Sequence, residues 1–202
     1  AVGVVSVAII FAHAIAPDSY SWTDHTISQL AAQGYDRAFV MRAGFAVFGM
    51  LVTFGAYRRT RNRLQSWFAQ APLVLYGVGM LVSALFSAPP FVAGVEFSSA
   101  QAGIHSIAAT VAGVGISLAA VGHVFADRSR VRKAVHVAAV VGIIGLSALF
   151  GAVDSAAGLV QRGLWVVGFA WLVFLDTAVD LPPNQGVNLA TPCEVSSGRE
   201  RV

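Results

Sequence analysis

The chain has 202 residues, 56% of them hydrophobic and 11% charged, with a mean hydropathy of +0.71. A soluble domain carries about 25% charged residues, so this balance excludes a disordered chain, a nucleic-acid module and an ordinary soluble enzyme, and points to one integral membrane domain. The formal net charge of +3 does not imply nucleic acid, because most bases lie in two short segments, and the single Cys193 excludes an intrachain disulfide and any CxxC site.

A helix crosses the hydrocarbon with about 20 mostly apolar residues. Six runs meet or approach that length: Ala1–Ala16, Ala38–Tyr57, Trp67–Ala88, Gln101–Phe125, Ala134–Val153 and Leu159–Val179. Backbone exposed to lipid finds no partners, so helices are the default. The runs do not alternate as barrel strands would. The predicted fold class is therefore all-α: a bundle of six transmembrane helices over residues 1–180, then a flexible polar tail, 181–202. The first run is short and begins at a non-Met residue, so its true start is expected to be missing. It lacks the charged flank and cleavage site of a signal peptide.

The connection Asp18–Arg37 holds Ser21-x-x-Asp24 and Thr26-x-x-Gln29, both shaped like capping boxes. Ile27, Leu30 and Ala31 add an apolar stripe, which predicts a short helix on or dipping into the outer face. Arg58, Arg59, Arg61 and Arg63 follow the second run; Arg128, Arg130, Arg132 and Lys133 precede the fifth. The positive-inside rule makes both segments cytoplasmic. Both termini then face the cytoplasm of a plasma-membrane protein. Pro89-Pro90 ends the third run. Gly79, Ser83 and Ser87, then Ala109 and Gly113, then Ala138 and Gly142 recur every four residues. That spacing predicts close helix packing in lipid. Asp176 and Asp180 stand at a helix C-terminus, where acids are unfavourable. They are predicted to pair with the Arg58–Arg63 cluster.

The remaining ionisable residues gather at the outer ends: Asp18, Asp24, His25, Asp36, Arg37, Arg42, Glu96, His105, Asp154 and Arg162. Such groups at membrane depth are functional candidates by default. Each also has a plain structural reading as a cap, a solvated pair or a packing contact. Arg42 lies one turn inside its span and is expected to pair with Asp24, Glu96 or Asp154. Ser98-x-x-Gln101 reads as a capping box for the fourth span, with His105 one turn after Gln101 on the same face. Haem would need two facing histidines, for which His13 and His105 are the pair to consider. Zinc would want a third ligand beside them, which His25, Asp24 or Glu96 could supply. No HExxH or HxxxH spacing occurs, and no metal or other cofactor is expected.

The stretch Asp24-His-Thr-Ile-Ser28-Gln-Leu-Ala-Ala-Gln-Gly34, Arg42, Glu96-Phe97 with His105-Ser106, and Leu159-Val-Gln-Arg162-Gly resemble the six-helix membrane family called "domain of unknown function 998". The resemblance spans nearly the whole chain and implies no activity. In size and hydrophobicity the chain is also similar to small bacterial membrane terpene cyclases that act on prenylated indoles. No catalytic motif matches theirs residue by residue, so no role transfers.

The expected function is an intramembrane enzyme acting on an amphiphilic, isoprenoid substrate by proton-initiated cyclisation. A buried carboxylic acid stays protonated, and aromatic faces stabilise a cation. The catalytic candidates are Asp24, Glu96 and Asp154. The substrate-binding candidates are His25, Arg42, His105, Gln161, Arg162, Trp22, Phe97 and Trp165. The expected partners are that hydrophobic small molecule and membrane lipids, with no nucleic acid. An outer-leaflet hydrolase or transferase, or a non-enzymatic transporter, haem carrier or assembly subunit, is the alternative.

Overall fold

A computed structural model describes residues 1–61, 67–153 and 155–179. Arg63, Asp154, Asp180 and the tail from 181 lie outside the described residues. The described chain is a helical membrane bundle. Its elements are α1 (Val2–Ala14), a 3-10 helix (Ile27–Ala31), α2 (Ala38–Arg61), α3 (Trp67–Leu85), α4 (Ser99–Ala126), α5 (Arg130–Ala152) and α6 (Ala157–Val179). Helices α2 to α6 are long and apolar enough to cross a bilayer. Helix α1 is apolar but has 13 residues, about 20 Å at 1.5 Å per residue, against a core of about 30 Å.

Most boundaries follow the expected runs, and the differences have local causes. Helix α4 begins where the Ser98 hydroxyl accepts from the Gln101 N–H at 3.3 Å. Helix α5 begins in the same way at Ser129, which accepts from the Arg132 N–H at 3.4 Å. The expected basic loops are partly helical. Arg58, Arg59 and Arg61 form the last turn of α2, where the negative end of the dipole favours them. Arg130, Arg132 and Lys133 open α5, the unfavourable end, and Arg132 is compensated by Asp127 at 2.6 Å. Arg59 pairs with Asp176 at the end of α6, as the acid's position predicts. Both basic segments therefore sit at one end of the bundle.

Small residues set the tight seams. A Cβ on Gly49 would lie 2.9 Å from the Leu81 N, and one on Gly77 would lie 2.7 Å from the Gly49 O, so α2 and α3 touch backbone to backbone. Gly79 meets Ala108 and Ala112 of α4, and Gly115 meets Tyr76 and Pro72 of α3. The α4 packing face is thus Ala108–Ala112–Gly115. The expected Ala109–Gly113 stripe is turned one step away: a Cβ on Gly113 would meet nothing within 4 Å. On α5 only His136, Ala139 and Ile143 are buried, so α5 is held far more sparsely than α2, α3 or α4.

The α2–α3 seam yields a direct test. Gly77→Ala should lose about 1–3 kcal/mol of stability through overpacking, read from thermal unfolding in detergent. Gly103→Ala, whose Cβ meets nothing, should lose none.

Candidate functional site

The half of the bundle opposite the basic end contains two confluent cavities. The larger is a cleft of about 890 Å³ between α4, α5, α6 and the loop around Asp24. Its polar wall includes Asp24, His105, Ser106, Thr110, Ser147 and Gln161. On α4 it runs from His105 to Leu118, about 20 Å at the helical rise. Val114, Leu118 and Ile144 belong to its wall and are each about half exposed, at 49%, 50% and 51%. At that depth exposure means lipid, so the cleft opens sideways between α4 and α5. The smaller cavity, about 110 Å³, lies deeper and is walled by Phe45, Tyr76, Ile116 and Trp165. Ser28, Ala109, Gly113, Gln161 and Leu164 line both. The Phe45 and Trp165 rings stack 5.8 Å apart at 14°.

The roof of the cleft is the loop 17–31, and Arg162 holds it. Its Nη1 donates to the His25 and Gly158 carbonyls at 3.0 and 2.8 Å. Its Nη2 donates to His13 Nε2 at 2.6 Å and to the Tyr20 hydroxyl at 2.7 Å. Tyr20 in turn donates to the Thr26 carbonyl at 3.0 Å. The Trp22 ring lies under the guanidinium at 5.9 Å. Gly158 is required here, since a Cβ would lie 2.8 Å from the Thr23 carbonyl and collide with that of His25. Thr26 opens the 3-10 helix, its N–H donating to Gln29 Oε1 at 2.8 Å. The next N–H, of Ile27, donates to Gln161 Oε1 at 2.7 Å. Ser21-x-x-Asp24 closes a turn rather than starting a helix, with Ser21 Oγ donating to Asp24 Oδ2 at 2.6 Å.

The candidate residues separate into three groups. Asp24, His105, Gln161 and Trp165 reach the cavities. Arg162, His25 and Trp22 build the roof. Arg42, Glu96 and Phe97 do neither. Arg42 does not meet the expected carboxylate: among the described residues its partners are the carbonyls of Ala84 and Leu85, at 2.9 and 3.2 Å. These are orphan acceptors at the C-terminus of α3, which suit a cation as well as an acid would. Arg37 does the same for α1 through the Ile15 carbonyl at 2.7 Å. Glu96 is exposed, as is Phe97 at 49%. Asp154 lies outside the described residues.

His105 is the most informative of the group. It is 4% exposed. Its Nδ1 lies 3.1 Å from the Ser83 carbonyl and 2.8 Å from that of Phe86. Only a protonated Nδ1 can bond them. The other ring nitrogen, Nε2, is itself buried and has no hydrogen-bond partner among the described residues. The expected His13–His105 haem pair does not form, because His13 Nε2 accepts from Arg162. No group of three or more His, Cys, Asp or Glu is placed to hold a metal among the described residues.

Asp24 has the opposite character to a proton donor. The Ser21 hydroxyl, then the Ala156 N–H, hold its carboxyl below the usual carboxylate range. Sequence reasoning missed Tyr20 and Gln33. Gln33 clamps the α3–α4 connection, accepting from the Ser98 N–H at 2.8 Å and donating to the Ser98 carbonyl at 3.0 Å. A glutamine between two helix ends carries no motif that would reveal this.

Fold and cleft together define a helical integral membrane protein with a lipid-accessible cavity in one half. The chain belongs to the family described as "Protein of unknown function (DUF998)", whose model matches residues 1–177. No curated protein matches the chain, and no solved structure does. The likeness to membrane terpene cyclases therefore has no counterpart among them.

The roof can be tested at two residues. Arg162→Met should cost about 3 kcal/mol and speed amide exchange over Tyr20–Ala31 while sparing α2 and α3. Asp24 is favoured as its anion in the folded loop. Its contribution is present above the unfolded-state value and is lost as pH falls through the lower folded one. Trp22 emission should report that acid transition, and Asp24→Asn should remove it.

Proposed function

We propose that this protein takes an amphiphilic, isoprenoid-type molecule from the outer leaflet into the α4–α6 cleft and acts on it there. The observation that carries the reading is the join between the two cavities. Polar side chains line the outer cleft at a depth where lipid-facing residues are apolar, and a pocket with aromatic walls continues it inward. Convergent polar groups on a largely apolar cavity are the usual form of a small-molecule site.

The chemistry we propose is terpene-type cyclisation. An acid protonates an alkene carbon, ring C–C bonds form, and the resulting carbocation loses a proton to a base. The aromatic walls of Phe45, Tyr76 and Trp165 would face the cation. His105, which borders the cleft, is the base to test for the final proton. Asp24 is unsuited to donate the first, being stabilised as its anion. Glu96 is not part of the cleft wall. Asp154, which precedes α6 in the chain, is the acid to test. With a farnesylated indole as probe, Asp154→Asn and His105→Gln should each lower turnover by roughly 10²–10⁴. Intact binding without turnover in the wild type would make the protein a carrier.

Binding itself is tested without a known substrate. Native mass spectrometry of the protein should show a co-purifying lipidic adduct. Gly113→Leu fills the junction of the two cavities without touching packing, and should remove that adduct. An unchanged adduct would refute the site.

We also propose that the basic end faces the cytoplasm, so the cleft faces outward in the plasma membrane. In a Cys193→Ser background, Ser99→Cys should react with an impermeant maleimide on intact cells. Arg128→Cys should react only after permeabilisation.

A further inference from the structure

We propose that the loop 17–31 is a lid latched by a neutral His13, and that a single proton on that imidazole releases it and opens the cleft to water. The inference concerns how the cleft is covered and holds whatever molecule the cleft takes.

The latch is defined by two bonds that admit one tautomer. His13 Nδ1 lies 2.7 Å from the Ile9 carbonyl, one turn back in α1, and only a protonated nitrogen can bond there. Nε2 faces Arg162 Nη2 at 2.6 Å. A guanidinium has donors alone, so Nε2 accepts and His13 is neutral. The next proton on this imidazole has one place to go, the lone pair that Arg162 occupies. Protonation therefore turns a hydrogen bond into two N–H groups face to face, each on a cation. Like charges so close repel strongly where little water screens them. The other terminal N–H groups of Arg162 are already given to Tyr20 and to the carbonyls of His25 and Gly158.

The surroundings do not offset the added charge. Around His13 stand Arg162 from α6 and Tyr20 from the loop, its ring 5.7 Å away. His25 lies beyond Tyr20 at 5.5 Å, and Arg37, ahead of α2, holds the Ile15 carbonyl. Among the described residues no acid forms an ion pair with His13 or Arg162. The loop acid Asp24 is engaged by the Ser21 hydroxyl and the Ala156 N–H, and Asp18 is exposed.

Release reaches the cleft through the lid's own contacts. Arg162 donates to the Tyr20 hydroxyl, which donates to the Thr26 carbonyl. Thr26, Ser28 and Gln29 line the cleft, and the Ile27 N–H among them is bonded to Gln161 in its wall. A displaced Arg162 slackens this chain from Tyr20 to the cleft margin.

The test uses the full chain in phosphatidylcholine nanodiscs between about pH 8 and 5, the range in which an ordinary imidazole changes charge. Asp24, held below the usual carboxylate range, stays ionised throughout. Amide exchange over Tyr20–Ala31, corrected for the intrinsic effect of pH, should quicken about tenfold at the acid end, the scale of one hydrogen bond to a charged group. Exchange in α2 and α3 should not change. Trp165 emission, taken by difference from Trp165→Phe, should become more open to acrylamide quenching over the same range. His13→Gln keeps an accepting oxygen that does not titrate, and should hold the lid shut at both ends of the range. His25→Gln should leave the transition in place. A wild-type lid whose exchange is unchanged by acid would overturn the latch. So would a transition that survives His13→Gln, or one that vanishes only in His25→Gln. Faster lid exchange with unaltered quenching would overturn the opening of the cleft.

Discussion

A guanidinium on the second turn of a membrane helix must be bonded on every edge it presents, and Arg162 organises its surroundings to meet that demand. At the centre of a span an unsatisfied arginine costs roughly 3 kcal/mol by insertion scales. Arg162 avoids this by drawing in two loop-side carbonyls, an imidazole and a phenol. Those partners come from α1, from the loop 17–31 and from α6 itself, so one side chain fixes three segments. The neighbouring Gln161 accepts from the 3-10 helix and also lines both cavities. Roof and cavity wall are therefore adjacent residues of one helix. Any displacement of the roof is felt in the wall.

The cavity exists because packing is uneven. Glycines bring α2, α3 and α4 to backbone contact, and such contact leaves no room for side-chain voids. The one α4 glycine that faces away from this seam toward the cleft, Gly113, has open space before it. Helix α5 lacks an equivalent seam except at Gly142, whose Cβ would come within 3.0 Å of Val167 on α6. The bundle is thus a firm three-helix slab with a sparsely attached wall, and the space between them is the cleft.

Hydropathy alone located the spans, since lipid permits little besides helices. The capping box at Thr26 formed, a local bond between near neighbours, whereas at Ser98 only the hydroxyl half formed, because the Ser98 N–H is taken by Gln33. The Arg59–Asp176 pair was legible because α2 and α6 end on the same side of the bundle, one carrying bases and the other an acid that the negative end of its own helix disfavours. Arg42 was misjudged for a physical reason. A sequence displays carboxylates but hides the carbonyls left unpaired at a helix end, and these satisfied both Arg37 and Arg42. The four-residue stripe at Ala109 and Gly113 misled similarly. Spacing states that two small residues share a face but not whether that face meets a helix or a void. The tautomer of His105 could not have been read at all, because it depends on two carbonyls some 20 residues away in the chain.

The lateral opening between α4 and α5 has a thermodynamic consequence for any occupant. A molecule entering through lipid is not drawn from water, and its chemical potential is that of a membrane solute. Occupancy then depends on the mole fraction of the molecule in the leaflet. The hydrophobic gain of leaving water has already been collected on partitioning and contributes nothing further to selectivity. Discrimination is left to shape, to aromatic contact and to the few polar groups at the mouth. A dissociation constant expressed in aqueous concentration would vary with the amount of lipid in the assay, whereas one expressed per lipid would not.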